Sequence, residues 1–83
     1  MSPELPAIAA HAAVLRSDAR VLAECAERLR EIGAGLEAAG VAPQWLRESV
    51  NTHLTACVTA AADLDAAAAH LSHYAGRTCR RDI

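Results

Sequence analysis

The side chains able to do chemistry in this 83-residue chain are three cysteines, four histidines and two near-adjacent aspartates. Cys25 and Cys57 stand sixteen residues either side of Val41. In a hairpin turning near Val41 they share one height, and a disulfide between them is geometrically open. Two small thiols packed without bonding are the alternative. There is no Cys-x-x-Cys pair, so neither a redox motif nor a zinc knuckle is expected, and Cys79 is left as an odd thiol. His53 and Cys57 have the i, i+4 spacing of two ligands on one helix face. His70 and His73, level with His11, read as a solvent-facing pair. A metal site needs three or four converging ligands, and His-Glu-x-x-His is absent. Asp63 and Asp65 point in different directions on a helix and make no working acid–base pair. With no phosphate-binding glycine loop and no Ser–His–acid set, the chain is expected to be non-catalytic, without metal or cofactor.

The elements that carry these residues follow from composition. Twenty-one residues are Ala, eight are Arg, and Lys and Phe are missing. Trp45 and Tyr74 are the only aromatics. This is helix-forming material, poor in the β-branched and aromatic residues that strands use. It also supplies too few large side chains to wall a deep pocket. A net charge of −2 gives no reason to expect nucleic acid, and no apolar run approaches the roughly 20 residues of a membrane span. The segment Met1 to Pro6 lacks the basic and apolar regions of a cleaved signal peptide.

A heptad runs through each half. Leu5, Ile8, Ala12, Leu15, Ala19, Leu22, Ala26, Leu29, Gly33 and Leu36 alternate in steps of three and four. Val50, Leu54, Cys57, Ala61, Leu64, Ala68, Leu71, Ala75 and Thr78 repeat the device. Large and small residues alternate in both, which lets two helices approach closely. Leu22, Leu29, Leu64 and Leu71 are expected to be buried, with Ala19, Ala26, Ala61 and Ala68 at the close contacts. Between the heptads, Gly40 suits a helix end and Pro43 the first turn of the next helix, with Trp45 just beyond. The spacing predicts an all-α, single-domain antiparallel hairpin. Helix one spans about 3–39, the turn 40–42, helix two about 43–77, and a short basic tail 78–83. Gly33 and Gly35 either make room for the Trp45 indole or mark fraying of helix one after Ile32.

Two helices burying one stripe each make a thin core, and Val14, Val21, Leu46 and Val58 lie off that stripe. They are read as a partner interface that completes a four-helix bundle. The partner is another helical hairpin, the helical N-terminal region of a larger protein, or a second copy.

An Ala-rich hairpin of this length with Trp45 at its turn resembles the small Trp-x-Gly proteins of type VII (ESX) secretion. Ala60 to Ala75, with Leu64, Leu71 and Tyr74, looks like the closing helix of related actinobacterial secretion-associated proteins. The sequence departs from the family at Arg47, where the turn motif has Gly, and at Thr78, where the Tyr-x-x-x-Asp/Glu export signal begun by Tyr74 has an acid. The resemblance implies a cytoplasmic protein that pairs and is then exported without a cleaved signal, as a substrate or as a chaperone-like partner of a larger effector or toxin. The incomplete motif after Tyr74 implies that a partner carries the export signal. An intracellular homodimeric bundle with a scaffolding or regulatory role is the alternative.

Overall fold

The computed structural model describes residues 4–81. Two helices, α1 (Glu4–Ala39) and α2 (Gln44–Arg81), account for all but four of them, and no strand occurs among the described residues. The chain is therefore an all-α hairpin. Pro6 is tolerated because the first-turn amides of a helix have no intrahelical acceptor to lose. α1 stops at Gly40, whose φ of 68° is left-handed and whose amide donates to the Leu36 carbonyl at 3.2 Å. That bond uses a carbonyl the helix end would otherwise leave unpaired. Pro43 caps α2 from just outside it, rather than occupying its first turn as expected. Its carbonyl accepts from Leu46 and Arg47 at 3.1 and 3.3 Å. α2 also runs beyond the expected end near Arg77 to Arg81, taking in most of the basic tail. Pro3, Asp82 and Ile83 lie outside the described residues.

The connection of Gly40 to Pro43 is too short for anything but antiparallel neighbours. The result is a rod of 63 × 15 × 13 Å. Its radius of gyration is 18.6 Å, where a compact chain of this length has about 12 Å.

The seam is made of alanine. Ala12, Ala19 and Ala26 of α1 and Ala61, Ala68 and Ala75 of α2 are the buried residues, and no large side chain is fully buried among the described residues. Leu22, Leu29, Leu64 and Leu71, expected inside, are only half-buried. The reason is steric. Alanines let the two backbones close on each other, so leucines one step round each helix flank the contact, and nothing covers their outer side. Gly33 extends the seam towards the turn, where a Cβ on it would meet Val50 Cγ1 at 3.8 Å. Neither glycine makes room for Trp45, and α1 does not fray after Ile32. A Cβ on Gly35 would have no neighbour within 4 Å, and Trp45 is 67% exposed.

Candidate interaction face

On α1 each leucine follows a seam alanine by three residues, as Leu15 follows Ala12 and Leu22 follows Ala19. On α2 the same offset links Leu64 to Ala61 and Leu71 to Ala68. The helices run in opposite directions, so an equal step along each chain leads to the same side of the pair. Both sets of leucines therefore flank the seam on one side. This leucine side also holds most of the remaining half-buried residues, among them Ile8, Cys25, Val50, Cys57, Ala60 and Ala67, while Ser72 is half-buried on the other side. The opposite side follows the seam by four residues. It carries Arg16, Ala23, Arg30, Asn51, Val58 and Asp65, all exposed. A shallow depression there is lined by Ala23, Glu24, Ala26, Glu27, Arg30, Val58 and Ala61, which confirms the assignment.

The hairpin is thus two-faced. Its polar side is held by exposed ion pairs, Arg30 with Glu27 and Arg47 with Glu37, the latter at 3.4 Å across the two helices. Gln44 donates to Glu48 at 2.8 Å on the first turn of α2. Exposed pairs of this kind contribute little stability, ~0–1 kcal/mol each. The leucine side carries an apolar band along the rod that no part of the described chain covers.

The four residues read from the sequence as one interface divide between these sides. Val14 and Val21 are 53% and 56% exposed at the outer margin of the leucine side, in line with Ile32 at 52%. Leu46 is half-buried near the turn on that same side. Val58 lies on the other side, among Glu24, Glu27 and Arg30. The difference is one residue of spacing, since Val58 follows Leu54 by four rather than three. Ile32, which the sequence reading did not single out, joins the margin because it lies seven residues after Cys25.

Cys25 and Cys57 are free, half-buried thiols. Gly33 faces Val50, so one heptad further from the turn Ala26, not Cys25, faces Cys57. Cys25 sits at the corner of that contact, which accounts for two packed thiols in place of a disulfide. Among the described residues no three His, Cys, Asp or Glu side chains converge as a metal site would require. Trp45 and Val41 stand exposed at the turn end of the rod. Tyr74 is about half-exposed and lies within α2, with Thr78 one turn on in the same helix. No described helix is long and apolar enough to cross a membrane. No family model, curated protein or solved structure matches the chain.

Proposed function

We propose that this chain is a non-catalytic pairing module. It lays its leucine side against another helical protein to complete a four-helix bundle, and the bundle is the form handled by type VII secretion. The observation that carries the pairing is the surplus of exposed surface. The chain exposes 6071 Å², some 1,300 Å² more than the ~4,700 Å² usual for a monomer of its mass. A stable protein interface removes roughly 800 Å² from each partner, so one docking event is of the size needed. The secretion setting rests on the resemblance in the turn and in the closing helix. Thr78, standing where the export motif has an acid, shifts the export signal to the partner, which makes this chain a carried or chaperone-like component.

The pairing is tested by light scattering of the purified chain, alone and with the helical product of a neighbouring gene. Complex formation that Val21→Glu abolishes is the expected result. A monomer at high micromolar concentration under every condition overturns the reading. The secretion setting is tested separately, by following the protein into the culture medium of its host with and without the secretion ATPase.

A further inference from the structure

We propose that the helical partner is a second copy of this chain, with α1 docked antiparallel on the other copy's α1 about a two-fold axis beside residue 23. This deepens the pairing reading and rests on it. The argument comes from the outer margin of the leucine side on α1. Beyond the leucines, two further registers turn outward: His11, Asp18, Cys25 and Ile32, then Ala7, Val14, Val21, Arg28 and Gly35. In an antiparallel α1–α1 contact the first register of one copy lies against the second register of the other.

Heptad spacing allows only a few alignments. One centred near residue 23 sets Val14 against Ile32, Val21 against Cys25 and Asp18 against Arg28, each pair occurring twice by symmetry. A shift of one heptad towards the N-terminus sets Asp18 against Val21 and Arg28 against His11. A shift the other way sets Arg28 against Cys25 and leaves Asp18 facing Gly35. The shifted alignments keep apolar pairs, Val14 with Cys25 in the first and Val21 with Ile32 in the second, but only the central one also sets acid against base.

Further observations support it. The axis beside residue 23 falls within two residues of the middle of Glu4–Ala39, so the helices overlap along nearly their whole length. Asp18 and Arg28 have no hydrogen bond or ion pair within the hairpin, and they lie too far apart on one helix to meet each other. Each is a charge at the edge of an apolar band that a second copy would neutralise. On α2 the corresponding margin is mixed, with Ala56, Ala60 and Ala67 at its middle and His53, Asp63, His70 and Arg77 among the rest. About residues 61–62 it brings no two like charges together. A strip the length and width of the rod, 63 by 15 Å, is enough for a standard interface.

The test is sedimentation equilibrium of the chain alone with a charge exchange. Asp18→Arg and Arg28→Asp, singly, each place two like-charged pairs in the dimer and should raise Kd about tenfold. The double exchange restores both pairs and should return Kd to within twofold of the original. Circular dichroism of each variant monitors folding, and the double variant guards against a folding defect in the singles. Dimers indifferent to the single exchanges, or not rescued by the double, overturn the proposed alignment. A chain that stays monomeric alone but pairs with a different hairpin overturns the second-copy proposal and leaves the pairing reading standing. A chain that pairs with neither overturns both.

Discussion

The alanine seam inverts the usual sensitivity of a protein core, and Ala68→Leu measures the inversion. Ala68 is fully buried between α1 and α2, with no exposed surface. A leucine there adds three heavy atoms where two backbones are closest. The helices must separate or the side chain must leave its rotamer, and either costs about 1–3 kcal/mol. Leu64, four residues earlier, is half-buried with an open outer side. Leu64→Ala removes a group that is already partly in water, so its cost should fall below the ~2–5 kcal/mol of a buried leucine. At one fixed concentration, thermal melts followed by circular dichroism should place Ala68→Leu at or below Leu64→Ala. A shift near 10 °C corresponds to about 2 kcal/mol for a domain of this size. A neutral Ala68→Leu would mean that the helices are not in contact at this alanine, and the seam assignment would be wrong.

Other expectations follow from the same geometry. Gly40→Ala forces a left-handed φ on a residue with a Cβ and should cost about 1–2 kcal/mol in a urea melt, with helix content otherwise kept. Glu37→Gln breaks an exposed ion pair and should change stability by less than about 1 kcal/mol; a larger loss would show that the pair is not simply a surface contact. Trp45 fluorescence should be red-shifted and open to acrylamide in the free chain, and a blue-shifted, protected indole would contradict its exposure. Val21→Glu should abolish pairing without touching the seam, because an unpaired charge is costly at a packed interface; pairing that survives it would move the interface elsewhere.

Much of this fold is legible in the residues because the heptads carry both spacing and size. Steps of three and four from Leu5 to Leu36 and from Val50 to Ala75 give two helices, and Gly40 with Pro43 gives the break. What the spacing does not convey is which of two apolar registers goes inside. Leucine is the more hydrophobic residue, so it is the natural choice for a core. In a two-helix contact, however, the distance of closest approach decides, and alanine permits the shorter one. The same effect separates Val58 from Val14 and Val21, since faces can be assigned only once the seam register is known. Trp45 is harder still. Its apolar bulk suggests a packed position, yet α2 turns it outward with nothing on that side to receive it. The extension of α2 to Arg81 is also local. Nothing in the segment after Tyr74 breaks a helix apart from Gly76, whose cost of about 1 kcal/mol helical neighbours can absorb.

The opposition of Gly33 to Val50 across a four-residue turn also bears on how the hairpin forms. Contacts next to the turn enclose the shortest loops, and those near Ala12 and Ala75 enclose nearly the whole chain. The entropy of closing each loop grows with the logarithm of its length, so pairing should start at the turn and run outward as a zipper. Substitutions at Gly33 or Val50 should therefore act mainly on the rate of folding, and those at Ala12 or Ala75 mainly on the rate of unfolding. The far end would open first and most often. A partner that grips the rod there would slow its unfolding more than one that grips it at the turn.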